Sequence, residues 1–330
     1  MATFESAITY GIGLETTLGT EATSYIGIPQ EGLVKIPYGK RYESVKRFRG
    51  TPYKHQHDDI ISLGREPMPG GFSHNYCFQT LIRLLAAMHN TPGTEVANVF
   101  TLTCPTAGTS VTEGVAGYGI SVKQDMGSVN HAALGCVPKR IQLTFPGDGS
   151  AVKMSYEFAA MDSDDAADND TLTIEASDID LITSDFTFKI GAPAADPSPT
   201  QIYPAGDIVV TLEPEIESLR RGLDHFRQHC ISGWGGSFEV RMAADSDPEE
   251  FHDYWKDKTR RLLQIIQGDG THSEDGEITF YLHGTLIDET GQESGTILQE
   301  SAKFELTGET TGTALIDAPY QIVYYDSAMT

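Results

Sequence analysis

Cysteine is scarce in this sequence, and the few residues stand apart. Cys77, Cys104, Cys136 and Cys230 form no Cys-x-x-Cys pair. That spacing argues against a zinc site or a disulfide frame and for free thiols in a reducing compartment. Basic residues are also short: 23 Lys and Arg face 47 Asp and Glu, a formal net charge of −24. A free DNA- or RNA-binding protein needs clustered cations, so that class is disfavoured. An acidic surface suits solubility, or a surface that must repel nucleic acid. No apolar run reaches the about 18 residues of a membrane-spanning helix. The opening residues, MATFESAITYGIG, lack the basic start and apolar centre of a signal peptide.

Motifs that carry chemistry are missing too. There is no G-x-S-x-G, no P-loop and no H-E-x-x-H. Gly11-x-Gly13 and Gly117-x-Gly119 lack the third glycine of a dinucleotide fingerprint. His55 and His57 would share a strand face, but Asp58 falls on the other, and they read as polar loop residues rather than metal ligands. Asp162-x-Asp164 starts like a calcium loop, yet Ala167 stands where glycine is needed and the twelfth position lacks Glu. Asp253 and Asp257 lie among Lys256, Lys258, Arg260 and Arg261, which suits an ion-paired helix face rather than a catalytic dyad. The expectation is a protein without catalytic residues, metal or cofactor.

What is present is alternation. In Glu277 to Leu306, Ile278, Phe280 and Leu282 alternate with Thr279, Tyr281 and His283. After a polar loop, Leu298, Ala302, Phe304 and Leu306 alternate with Gln299, Ser301, Lys303 and Glu305; only Glu300 breaks the apolar row. Lys139 to Ala159 reads the same way. Ile141, Leu143 and Phe145 form one row, and Val152, Met154, Tyr156 and Phe158 the other, with Lys153, Ser155 and Glu157 between. Pro146-Gly147-Asp148-Gly149 supplies turn chemistry. Period 2 means strands with one buried and one wet face. Two such hairpins suggest one domain type used twice, although any β-protein contains hairpins.

The rest of the chain repeats an order. Residues 1–30 read as an extended arm. Lys35 to Arg65 holds eight cations (Lys35, Lys40, Arg41, Lys46, Arg47, Arg49, Lys54 and Arg65) interleaved with Tyr38, Tyr42, Phe48 and Tyr53. Such a length of polar, aromatic chain reads as a functional loop. Asn75 to Asn90 has helical spacing, with Ser73 as cap and Thr91-Pro92-Gly93 as stop. Strand-like runs follow at Asn98 to Cys104 and Gly119 to Gln124. An acidic, Pro-bearing region then places a domain boundary near residue 178, dividing 1–178 from 179–330. Ile208 to Leu212 is again strand-like, EIESLRRGLDHFRQH again basic and aromatic, and Gly233, Gly235 and Gly236 again punctuate. Ser237 to Met242 leads to a second helix, capped by Asp247 and running to Lys258. Leu262 to Ile266 precedes the second hairpin.

Four stretches carry a resemblance. GTILQESAKFELTG and GSFEVRMAADSDPEEFHDYW, with VFTLTCPTAGTSVTEGVAGYGISVKQD and KRIQLTFPGDGSAVKMSYEFA in the first half, resemble the tail tube proteins of long-tailed bacteriophages. The likeness runs in order over residues 30 to 310. It implies a mainly β fold: two tandem β-sandwich or barrel domains, each with a flanking α-helix, and an arm at either end of the chain. It implies a virion protein, assembled in the host cytoplasm, whose rings stack into the tube of a flexible, non-contractile tail. Two domains per chain imply a trimeric, pseudo-hexameric ring. The implied partners are further copies of the chain, a tape-measure protein, tail terminator and tip or baseplate proteins, and DNA in transit without specific binding.

In this reading Lys40, Arg41, Tyr42, Lys46, Arg47, Phe48, Arg49, Tyr53 and Lys54 form a ring-stacking loop. Lys153, Ser155, Glu157, Glu213, Glu239, Gln299, Ser301, Lys303 and Glu305 are the candidates to face the lumen. The competing class is a carbohydrate-binding or adhesin-like β-sandwich, which would want exposed aromatics clustered on one sheet or a calcium site.

Overall fold

Where apolar and polar residues alternate, the chain forms strands that bury one row and wet the other. The computed structural model describes residues 9–28, 42–44, 60–62, 68–105, 108–112, 114–125, 130–164, 180–193, 199–220, 226–243, 260–294, 297–309 and 317–328. In chain order the elements are β1 (Thr9–Thr17), β2 (Ile26–Ile28), β3 (Tyr42–Ser44), β4 (Ile60–Ser62), β5 (Met68–Asn75), α1 (Phe78–His89), β6 (Thr94–Val96), β7 (Val99–Thr103), β8 (Thr109–Thr112), β9 (Ala116–Asp125) and β10 (Asn130–Phe145). There follow β11 (Lys153–Ala160), β12 (Asp162–Asp164), β13 (Phe186–Gly191), β14 (Thr200–Ile202), β15 (Ile208–Arg220), β16 (Phe226–Ala243), β17 (Arg260–Gln267), β18 (Ile278–Ser294), β19 (Ile297–Leu306) and β20 (Tyr320–Tyr325). The protein is thus mainly β, and among the described residues every strand pairing is antiparallel.

Apart from the β3–β4 pair, the described strands form one large antiparallel sheet of three runs that share strands. The first is β5-β11-β10-β15-β16-β19-β18. The second is β14-β13-β17-β18-β20-β7-β6. The third is β2-β1-β9-β10-β12. Two long strands belong to more than one run. Register shifts fall between Pro138 and Arg140 in β10 and between Leu286 and Asp288 in β18, close to where each changes neighbours. A bulge bends a strand and lets one chain serve two sheets.

The core lies against the buried rows of these strands. Phe72, Phe100, Phe145, Phe238, Phe280, Phe304, Tyr320 and Tyr324 are all buried in one cluster. Full burial of each such ring contributes about 1.5–3 kcal/mol. Strands from either side of residue 178 pair with each other, as β10 with β15 and β7 with β20. The residue itself, and the second helix expected from Asp247 to Lys258, lie outside the described residues.

The helix α1 is buried along its length except at Arg83, including the polar Gln79, Thr80 and His89. It packs against β1, β2, β9 and β10, and Phe78 meets Tyr324 edge-on at 6.5 Å. Asn90 ends it in the left-handed region at φ 54°, and the Thr91 N–H closes on the Ala86 carbonyl at 3.0 Å. Ser73 does not cap it. The chain stays extended in β5 through Asn75, and Cys77 takes the cap position without capping a helix N–H, its Sγ accepting instead from Thr80 Oγ1 at 3.2 Å.

Several sequence expectations need correction. The supposed N-terminal arm contains β1 and β2, whose Tyr10, Ile12 and Ile28 belong to the core. Toward the other end of the chain, Tyr320–Tyr325 is a core strand paired on both sides, not an arm. Much of the basic stretch from Glu215 to His229 is strand, because β15 and β16 pair as far as Arg220 and Phe226. The polar loop after His283 is strand as well: β18 continues to Ser294, opposite Ile297. Asp162–Asp164 is the short strand β12.

Candidate functional site

Cross-strand register gathers the expected lumen residues on one surface. A row of partners runs Ser73, Ser155, Gln142, Thr211, Ser237, Glu305, Thr285 across seven strands. A second polar row runs Lys153, Thr144, Val209, Glu239, Lys303, Asp288. Between them lies the row Met154, Leu143, Val210, Phe238, Phe304, Leu286, which is buried throughout. Strand residues two apart share a face, so Glu157, Glu213 and Ser301 join the polar rows. The first-half and second-half candidates therefore stand on the same side of a single sheet.

Their settings differ. Lys153, Glu157, Glu213, Lys303 and Glu305 are exposed, Ser155 and Glu239 are half-buried, and Ser301 is buried. Ser301 Oγ donates to Glu239 Oε1 at 2.7 Å, and Arg241 Nη2 reaches the same oxygen at 3.3 Å. On β10, Arg140 Nη2 donates to Gln142 Oε1 at 2.8 Å. Gln299 takes its place by backbone pairing with Ala243 and Gln292.

The same face carries a depression of about 650 Å³. Gly233 and Gly235 leave room for it, and Glu157, Glu213, Glu215, Glu305 and Arg140 stand around it. A Cβ on Gly233 would come within 2.8 Å of the Glu215 carboxylate. Four carboxylates with Lys139 and Arg140 make a hydrated, net acidic hollow. Such a surface can repel or loosely hydrate an anionic polymer but gives it little to grip.

A second polar centre, on β1, went unforeseen. Glu15 is buried, and its carboxylate accepts from Ser121 Oγ at 2.7 Å, from the Gly135 N–H at 2.8 Å and from the Gly19 N–H at 2.8 Å. Ser121 Oγ accepts in turn from the Ala22 N–H at 3.0 Å. Burial holds the Glu15 carboxyl above the usual range against the pull of these donors. A signal was available: Gly11 and Gly13 alternate with Tyr10 and Ile12, which marks close backbone approach. A Cβ on Gly13 would meet the Ala22 Cβ at 2.5 Å.

Buried histidines add no obvious acid–base pair. Burial alone lowers His89 to about 3, and burial with nearby Lys139 lowers His229 to about 4. His89 Nε2 lies 3.0 Å from the Tyr320 hydroxyl, and His229 Nδ1 lies 2.8 Å from Ser218 Oγ. Among the described residues, no three His, Cys, Asp or Glu side chains cluster as a metal site. No helix among them is long and apolar enough to cross a membrane.

The expected stacking loop is described only in part. Tyr42 enters β3 and pairs with Ser62 of β4. Lys40, Arg41, Lys46, Arg47, Phe48, Arg49, Tyr53 and Lys54 lie outside the described residues, as do His55, His57, Asp58, Asp253 and Asp257. No protein-family model and no curated protein matches the sequence.

Proposed function

We propose that the protein is a structural subunit of a phage tail tube, of the flexible non-contractile kind. Copies close into rings, rings stack into a hollow tube, and the bore holds a tape-measure protein before conducting DNA into the host. The observation that supports this most is the polar sheet face running from Ser73 to Thr285, which combines strands from both halves of the chain. A conduit needs a broad hydrated wall without grip. DNA carries one negative charge per ~1.7 Å of duplex axis, so a wall rich in cations would bind it at many points at once. Acidic groups around the glycine-floored hollow keep it centred instead.

In this reading residues 1–178 and 179–330 are two tail-tube-like units fused across the β10–β15 pairing, and three chains complete a pseudo-hexameric ring. Among the described residues β2, β5, β6, β12 and β14 each pair on one side only. Unpaired edges are templates for neighbouring chains, and ring closure satisfies them. The basic, aromatic stretch from Lys35 to Arg65 stacks one ring on the next, terminator and tip proteins close the two ends, and no catalytic role is assigned. Assembly takes place in the host cytoplasm and the product is part of the virion.

Electron cryomicroscopy of the purified protein tests this. Hollow tubes are expected, with Lys153, Glu157, Glu213, Lys303 and Glu305 lining a bore of net negative potential. Monodisperse globules would refute the reading, and a net positive bore would refute the repulsion argument alone. Reversing Lys46, Arg47 and Arg49 to Glu is expected to stop tube growth and leave the subunit folded.

A further inference from the structure

At the edge of the second run the ladder between β13 and β14 opens. Its last rung sets Phe188 opposite Ile202. Continuing that register would set Pro204 opposite Phe186, and proline has no N–H to give. A hollow of about 390 Å³ lies at this opening. Phe186 and Phe188, both buried, line it from the core side, and the turn between β10 and β11 lines it as well. Thr183 Oγ1 donates to the Pro146 carbonyl at 2.6 Å, and a Cβ on Gly147 would come within 2.5 Å of the Gly206 Cα. The walls are thus tied to one another before any ligand arrives.

In a chain with 47 acids, no charged side chain among the described residues lines this hollow. Asp207 stands close by, accepting from the Gly147 N–H at 3.0 Å, and Asp148 accepts from the Ser150 N–H and hydroxyl. An entering anion would meet these carboxylates with no Lys or Arg in the lining to offset them. Hydrogen-bonding capacity nevertheless remains. The Ser184 and Thr187 hydroxyls, the Gln201 amide and the Tyr203 hydroxyl bond no other group among the described residues. Tyr203 is 78% exposed. The proline after it favours an extended backbone there, which keeps the ring at the rim. The row beyond is of the same kind: Gln201, Lys189, Gln264, Tyr281, Gln321 and Thr103 are successive cross-strand partners, with no acid among them.

We propose that this hollow binds a neutral sugar, one unit of an uncharged glycan. A pyranose ring matches the lining on both counts. Its hydroxyls donate and accept, as do the Ser184 and Thr187 hydroxyls and the Gln201 amide. Its C–H face packs on an aromatic ring, which Tyr203 offers at the rim. Pockets for small ligands run to about 300–1,000 Å³ and combine an apolar lining with a few polar groups, as this one does. The missing cation selects against sugar acids and sugar phosphates. The exposed rim leaves much of the ligand in water, so a millimolar affinity is expected. Sugar binding here is independent of the tube reading, since none of these residues belongs to the polar face of the first run.

The test is saturation-transfer NMR on the full chain, with calorimetry for affinity. The probes are maltose, cellobiose, lactose and chitobiose, with glucuronic acid as the charged control. At least one neutral disaccharide is expected to receive magnetisation and bind in the millimolar range, and glucuronic acid to bind more weakly. Tyr203→Ala and Gln201→Ala, both at exposed positions, should each weaken binding roughly tenfold. Tyr203→Phe keeps the ring and should retain most of the affinity. Circular dichroism checks that the variants remain folded. If none of the four disaccharides binds, or if binding survives both alanine substitutions unchanged, the sugar site is refuted and the tube reading stands untouched. Glucuronic acid binding more tightly than every neutral probe would also overturn it.

Discussion

Glu15 ties three segments together through its carboxylate. Its carboxylate gathers the Gly19 and Gly135 N–H groups and the Ser121 hydroxyl, which belong to a turn, to β10 and to β9. Glu15→Ala would leave these donors buried without an acceptor. A cost of at least about 3 kcal/mol is expected in urea unfolding, since each stranded donor costs about 1–3 kcal/mol. The pH dependence carries a definite sign. Burial raises the folded-state pKa above 4.5, so the folded protein holds this proton where the unfolded chain has lost it. Stability from this group therefore falls as pH rises from 4.5 through the folded value. Glu15→Gln cannot titrate. The stability gap between wild type and that variant should shift in favour of wild type on acidification from neutral pH toward 4.5. His89 and His229 act in the opposite sense, losing stability as pH falls below 6.5 because burial keeps them neutral.

At the scale of elements, the hairpin of β18 and β19 depends on its inner half. Phe304 stacks on Phe238 with ring centroids 4.7 Å apart and is fully buried. Phe304→Ala should cost about 3–5 kcal/mol, measurable as a shift in the urea midpoint at constant slope. The apolar rows that define β10, β11, β18 and β19 in the core were legible in the sequence, because half-buried strands must alternate. So was the helix, although not its start, since Tyr76 and the end of β5 claim residues that look helical by spacing. The alternation from Leu298 marked β19, but the outer half of its partner β18 was not legible: it carries no apolar row, and it pairs Asp288–Ser294 with Ile297–Lys303. β1 was missed for another reason. Its Gly11 and Gly13 look like loop residues, yet Gly13 sits where Ala22 and Ser24 leave no room for a Cβ. The shared face of the lumen candidates was legible only strand by strand, because the β10–β15 pairing that joins the halves leaves no local trace.

Across the whole molecule, the charge of −24 and the wide polar sheet face together give a hydrated, acidic surface. The place of β20 in the sheet also sets an order of events during synthesis. β20 sits between β7 and β18, pairing Ile322 with Leu102 on one side and with Phe280 on the other. Until the ribosome has delivered residues 320–325, β7 and the outer edge of β18 have no partner there, and Tyr320 and Tyr324 are missing from the core. Contacts so distant in sequence form late and slowly, and bare strand edges invite wrong pairings meanwhile. A chain stopped before Tyr320 should therefore be insoluble on expression, whereas one stopped after Asp326 should remain soluble, as fractionation of cell lysates would show.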